Sequence, residues 1–171
     1  MGMDIRLVRI DDRLLHGQVA TVWTKATKIN RILIVSDKVA EDTLRKNLLI
    51  QAAPPEVLVN ILPIQKMIDI YLDERFDHFK AMLLFTNPTD VVRIIKGGIK
   101  ITEINVGGMS FQIGKQMITN AIAVDQTDIA AFNYLHNQGI QLEIRKVVTD
   151  SRLDMMNLLK KENLVKDLQI N

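Results

Sequence analysis

In the stretch Ile10-Asp11-Asp12-Arg13-Leu14-Leu15-His16-Gly17-Gln18, one histidine follows an arginine and two aspartates within a single turn-sized segment. A neutral imidazole is a nucleophile, and histidine side chains are mostly neutral near pH 7. Arg13 can fork two parallel hydrogen bonds onto a phosphate, which Lys cannot do. Asp11 or Asp12 is placed to orient either Arg13 or the imidazole. Gly17 lets the backbone approach a ligand closely, and with Gln18 it completes the predicted anion-binding segment. Such chemistry needs positioning and positive potential more than covalent help. Spacing alone also allows a plain capping or half-buried histidine at position 16. The segment is neither a Gly-Lys-Ser/Thr phosphate loop nor a dinucleotide fingerprint.

The elements that must hold this segment alternate along the chain. Ile5 to Ile10 reads as a strand, and the next helix carries Val19, Val22, Trp23 and Ala26 on one face. His16 therefore falls where that helix begins, beside free N–H groups and the positive end of its dipole. Arg31 to Val35 is a second strand. Val39 to Ala52 reads as one helix with Thr43, Leu44, Leu48 and Ala52 facing inward, and Pro54-Pro55 ends it. Val57 to Leu62 is a strand, followed by a helix entered at Pro63 and carrying Ile64, Met67, Ile68 and Tyr71. Ala81 to Phe85 is a strand covered on both faces. Asn87-Pro88 caps a helix that ends at Gly97-Gly98. Glu103 to Val106 and Ala121 to Val124 are strands joined by a Gly-rich loop, a candidate hairpin. Thr127 to Gln138 is a helix closing on Gly139, Gln141 to Val148 a strand, and Ser151 to Lys160 a last helix.

About seven strands alternating with about six helices predict a single α/β domain over 1–171. It is doubly wound, with a mostly parallel sheet and helices on both faces. Residues from about 160 to 171 are the expected loosely packed tail. In such sheets, ligands sit outside the carboxyl ends of the strands, at the loops following Ile10, Val35, Leu62, Phe85 and Val106. Phe85, Thr86 and Asn87, and Gly108, Met109 and Ser110 in the loop after the fifth strand, are thus candidate partner contacts. Asn87 also needs no role beyond its cap, and the glycines none beyond a tight turn. His78 precedes a strand and belongs at the opposite edge. His136 lies in a last helical turn, where the dipole favours a cation. Three histidines this scattered give no metal-ligand spacing. Met155 and Met156, with Leu153, Leu158 and Leu159, read as core or interface packing.

Composition narrows the class further. Among 171 residues, 47% are apolar and 25% charged, which is ordinary for a globular domain. The 22 basic and 20 acidic residues leave a net charge of +2, with no basic cluster of the kind that binds nucleic acid. The absence of cysteine fits a reducing cytosol and excludes thiol chemistry. No run reaches the length of a membrane span, and the charges in MGMDIRLVRIDD argue against a signal peptide. The expectation is a cytoplasmic protein.

The segment RIDDRLLHGQVATVW resembles the active-site signature of the IIB subunits of the mannose/fructose/sorbose family of the bacterial phosphoenolpyruvate-dependent sugar phosphotransferase system. The resemblance continues through RILIVSD, LFTNPTDV, INVGGM and QGIQLEIRKV, so it covers nearly the whole chain. One departure is Thr149, where many members carry proline. The resemblance implies that His16 is the phosphorylated residue, Arg13 its phosphate contact and Asp11 the acid that holds that arginine. It also implies a relay: a phosphohistidine IIA protein donates to His16, which then phosphorylates a sugar delivered by membrane IIC and IID subunits. The activity would be that of a protein-N(pi)-phosphohistidine-sugar phosphotransferase without cofactor or metal, associated peripherally with the transporter. Two partners sharing one histidine require it on a shallow face. The sugar is not readable, and a homo-oligomer stays open. A regulatory module that is phosphorylated but moves no sugar is the alternative, and an anion- or nucleotide-binding protein without a phosphoenzyme is a third.

Overall fold

The apolar runs centred on Val8, Leu33, Leu83 and Val106 form the middle of one parallel sheet. In the computed structural model, which describes residues 2–17 and 19–165, β1 (Asp4–Asp11) is followed by a π-type helical segment, Val19–Trp23, that continues as α1 (Thr24–Thr27). Then come β2 (Arg31–Val35), α2 (Asp37–Glu41), α3 (Thr43–Gln51), β3 (Leu58–Leu62), α4 (Ile64–Tyr71), β4 (Lys80–Phe85) and α5 (Pro88–Lys96). The chain continues through β5 (Glu103–Gly108), β6 (Gln116–Met117), β7 (Ala123–Val124), α6 (Gln126–Asn137), β8 (Gln141–Ile144), β9 (Leu153–Asp154) and α7 (Met155–Lys161). The seven-stranded sheet runs β3-β2-β4-β1-β5-β8-β9. All its pairings are parallel except the last, β8 with β9.

The expected α/β architecture is present, with two differences of membership. Ala123–Val124 does not join the sheet. It pairs with Gln116–Met117 as a small separate ribbon, so the seventh strand is Leu153–Asp154. The expected helix from Val39 to Ala52 is two helices starting earlier, at Asp37, because Asp42 leaves the helical conformation and caps the second with its side chain on the Arg45 N–H. That second helix buries Leu49, while Leu44 and Leu48 face solvent. Leu153 is likewise exposed, whereas Met155, Met156 and Leu159 are buried. Of the expected tail, 160–171, Leu164 and Val165 pack against the core, and 166–171 lie outside the described residues.

Two apolar clusters lie on the two sides of the sheet. One gathers α4, α5, α6 and α7 through Met67, Ile94, Phe132 and Leu159. The other gathers the first helix and α2–α3 through Val19, Trp23, Val39 and Leu49 over β2 and β4. The helix after β1 therefore sits on one side and α5, after β4, on the other. That opens a crevice at the carboxyl ends of these adjacent strands. The second cluster takes no residue from β5 or β8. There the alternate positions are Glu103, Asn105 and Gly107 on β5, and Glu143 on β8 with Arg145 just beyond it, a polar layer in place of a helix. No helix among the described residues is long and apolar enough to cross a membrane.

Replacing Asp42 by Ala removes the side-chain cap at the break between α2 and α3. Stability should fall by about 1 kcal/mol, read as a lower urea midpoint at unchanged slope.

Candidate active site

At the carboxyl end of β1 the backbone turns sharply, with the Leu14 N–H on the Asp11 carbonyl at 2.9 Å and the Arg13 N–H on Asp11 Oδ1 at 3.1 Å. Leu14 takes a left-handed conformation with φ of 59°, which costs a non-glycine residue roughly 1–2 kcal/mol. Burial of Leu14 and Leu15 in the second cluster offsets it. His16 then opens the helix, its carbonyl accepting from the Val19 and Ala20 N–H groups at 2.8 and 3.1 Å. Gly17, at φ of 27°, is exposed. Gln18 lies outside the described residues.

The imidazole of His16 is held from behind. Its Nε2 lies 3.0 Å from Asp11 Oδ2, and that carboxylate is fully buried while the His16 side chain is 27% exposed. Asp11 Oδ2 also accepts from Arg9 Nη2 at 3.1 Å. A carboxylate oxygen can only accept, so this contact favours the neutral tautomer with the proton on Nε2 and the lone pair on Nδ1. No hydrogen bond engages Nδ1 among the described residues. Asp11 reaches Arg13 more loosely, with Nε 3.8 Å from Oδ1 and the Arg13 side chain 54% exposed. Asp11 therefore holds Arg13 through its backbone N–H and a loose ion pair, while its closer side-chain partners are His16 and Arg9.

Arg9 is the residue the sequence reading passed over. Its side chain is 1% exposed. Beyond Asp11 it donates from Nη1 to Asn105 Oδ1 and the Arg145 carbonyl at 2.6 and 3.1 Å, and from Nη2 to the Lys146 carbonyl at 3.0 Å. Burial lowers the guanidinium from its ordinary pKa, and Asp11 opposes that shift. A signal for it existed: a charged residue between Val8 and Ile10 in a central strand has nowhere to go but inward. Asn105, between Ile104 and Val106, carries the same signal.

The glycines of β5 make room for this chain. Pairing steps from Ile10 opposite Val106 to Asp11 opposite Gly108, so Gly107 is an extra residue on β5. A Cβ at Gly107 would fall onto the Arg9 guanidinium, and one at Gly108 would come within 3.3 Å of Asp11 Oδ1. Gly108 thus seats the carboxylate and is not a surface contact. Phe85 and Met109, expected at a docking rim, are buried in the core. Their positions at strand ends were read correctly, but their side chains turn inward. Ser110 is exposed and donates its N–H and hydroxyl to Asp12 at 2.6 and 3.0 Å. Asp12 therefore ties the histidine loop to the loop after β5, and its carbonyl accepts from Arg45 Nη2 at 3.0 Å.

In front of this segment lies an open groove reaching from Asp12 and Arg13 past Thr86 and Asn87 to Lys115 and Asp128. Asn87 caps α5 through the Asp90 N–H at 2.8 Å, as expected. Burial pushes the Asp90 carboxyl up, and likewise Asp128 despite its ion pair with Lys115 at 3.0 Å. Asp37 is lowered, first by the Ile64 N–H and then by Arg93, its partner across the groove wall. His78 stands before β4 at the other edge, and His136 occupies the last turn of α6. No metal-binding cluster of His, Asp or Glu occurs among the described residues.

The chain is thus an α/β protein that sets a partly exposed histidine against a buried acid at the switch crevice of a parallel sheet. Residues 5–170 match the family model described as PTS system sorbose subfamily IIB component, and the chain belongs to this family of sugar phosphotransferase system components. It is 55% identical over 159 residues to the mannose-specific EIIAB component of Escherichia coli K12, covering 93% of this chain and 49% of that protein. The chain thus spans about half the length of the first curated relatives it matches. It is 47% identical to the sorbose-specific EIIB component of Lacticaseibacillus casei, over 90% of this chain and 94% of that one. Among solved structures, the IIB domain of the sorbose permease from Klebsiella pneumoniae superposes with a TM-score of 0.91 at 40% identity, covering 93% and 98% of the two chains.

Because the Arg9 guanidinium is pinned by four hydrogen bonds, it cannot swing aside for a new methyl group. Gly107→Ala should cost on the order of 1–3 kcal/mol, and Gly108→Ala distinctly less. Urea denaturation of the two variants checks the order.

Proposed function

We propose that this chain is a phosphocarrier that takes a phosphoryl group onto His16 from a phosphohistidine IIA protein and passes it to a sugar. The observation that carries this reading is the 3.0 Å contact of His16 Nε2 with buried Asp11. With the proton held on Nε2 toward Asp11, Nδ1 is the nitrogen available to act as the nucleophile. In the first step the Nδ1 lone pair forms the new N–P bond as the donor's N–P bond breaks. The ring gains positive charge while Nε2 keeps its proton, and Asp11 stabilises that charge. In the second step the sugar hydroxyl oxygen forms an O–P bond, the His16 N–P bond breaks and the hydroxyl proton is released. Arg13 lines the groove and is free enough to fork onto the phosphoryl oxygens. Gly17 sits at the helix start, where N–H groups favour an anion.

Membership of the family supports the carrier role. The mannose relative's name joins IIA and IIB in one protein, which supports a IIA-type donor. Membrane IIC and IID subunits as the sugar-bearing partners, and a cytoplasmic site of action, complete the proposal. Thr86, Asn87 and Ser110 form the rim that a partner meets.

His16→Ala or His16→Gln should abolish acid-labile, base-stable labelling from the upstream phosphocarriers and leave the melt cooperative. Label surviving there, or moving to His78 or His136, would refute the assignment. Arg13→Lys keeps the charge but not the fork. Its transfer rate should drop by the equivalent of about 2–4 kcal/mol in the barrier, measured in single-turnover quench-flow; a rate equal to that of wild type would leave Arg13 only a long-range charge.

A further inference from the structure

Behind the Arg9–Asp11–His16 chain, two guanidiniums share one indole. The Cζ atoms of Arg9 and Arg145 lie 5.0 and 4.9 Å from the Trp23 ring centroid, and Trp23 is the only tryptophan. The ring is pinned as well as stacked, because Trp23 Nε1 donates to the Lys146 carbonyl at 3.3 Å. That carbonyl also accepts from Arg9 Nη2 at 3.0 Å. The Arg145 carbonyl is shared in the same way, by Arg9 Nη1 and Asn105 Nδ2, both at 3.1 Å. The Arg145 side chain closes its own loop, donating to the Val148 carbonyl and to Glu143 Oε1, both at 3.2 Å. The Nε atoms of both arginines are buried with no acceptor among the described residues. The electron-rich face of the indole is what attracts them there.

Stability alone does not ask for this arrangement. Two like charges are brought under cover at one ring, and buried ion pairs are generally no more stabilising than apolar side chains of the same volume. What the arrangement achieves is immobility of Arg9 from three directions: the indole, the two carbonyls and Asn105. We propose that Arg145 is a positioning residue for His16, acting through Trp23 and its own loop to hold Arg9, and through Arg9 to hold Asp11 against Nε2. This rests on the reading of His16 as the phosphoryl acceptor. It gives the polar layer over β5 and β8 a task, which is to fix one tautomer of a ring that meets solvent on its other side.

The test uses the full chain with Arg145→Met and Arg145→Lys, and phosphoramidate as a small phosphoryl donor that needs no partner protein. Three quantities are read: cooperativity of the melt, the rate of base-stable labelling at His16, and the His16 tautomer by long-range proton–nitrogen NMR. Arg145→Met should lose the single Nε2–H tautomer and label roughly tenfold more slowly, the scale on which an outer partner of a working histidine acts. Arg145→Lys should recover part of the rate, since a cation returns without the planar stack. Arg31→Met is the control for mere loss of stability: Arg31 stacks on Phe79 at 4.2 Å, far from His16 on β2, and should lower the melt without moving the tautomer. If Arg145→Met does not fold, Trp23→Phe keeps a ring and removes the Lys146 bond, and should slow labelling about threefold with a mixed tautomer. Wild-type tautomer and rate in the folded variants would overturn the proposal. Wild-type protein that takes no label at His16 would instead overturn the carrier reading, while the NMR comparison still decides the positioning role.

Discussion

The ion pair between Arg9 and Asp11 is the constraint around which the carboxyl edge is built. Both side chains are essentially without solvent contact, so each is tolerable only while the other is in place. Removing one partner of such a pair commonly costs about 3–5 kcal/mol. From that follows the extra residue at Gly107, since the guanidinium occupies the space a side chain there would need. Asn105 follows too, because a second acceptor must meet Nη1. So does the turn after β8, which spends two carbonyls on Arg9 instead of on a continued strand. The expected strand to Val148 ends at Ile144 for this reason.

The opposite side of the histidine is organised on other terms. Asp12 binds Ser110 and Arg45, so three segments distant in sequence are joined in front of the sheet. Charges around the groove are mostly paired across its walls, as Arg93 is with Asp37 at 2.9 Å and Lys115 with Asp128 at 3.0 Å. Such partly exposed pairs contribute little stability each, but they keep the groove close to neutral. Arg13, more than half exposed and only loosely paired with Asp11, lines the same groove and can meet an anion there.

Most of the architecture was legible in the sequence because parallel strands and amphipathic helices leave clear periods. The run AMLLF could only be a strand covered on both faces, and Asn87-Pro88 only a helix start. The reading failed where one residue changed a period or a direction. Asp42 looks like an ordinary polar position inside a helix, yet its carboxylate competes for the Arg45 N–H and splits the helix. Leu44 and Leu48 have helical spacing but lie on the outer face once that split resets the phase. Leu153–Asp154 is too short to be seen as a strand without the edge of β8 to pair with. At the site, His16, Arg13 and Asp11 were visible as a cluster in one loop. Arg9 was hidden inside the pattern of a strand, and Arg145 and Trp23 are joined to it only by the fold.

In the carrier role proposed above, the separation of the two sides of His16 would let one residue serve two partners. Everything that fixes the ring approaches through Nε2 and comes from the interior: Asp11, Arg9, then the indole and the turn after β8. None of those groups needs to move when a partner arrives or leaves. The groove side contributes loop and helix-start residues with exposed side chains, such as Thr89 and Ser110. In that role a donor and an acceptor of different shape would meet the same nitrogen in the same tautomer, and recognition and reactivity would be carried by different residues. Had Arg13 been the group that oriented the ring, binding of a phosphoryl group to Arg13 would have released the histidine at the moment of transfer. With Asp11 anchored to Arg9 instead, the proposed relay would let Arg13 turn toward a phosphoryl group while His16 stays held by Asp11.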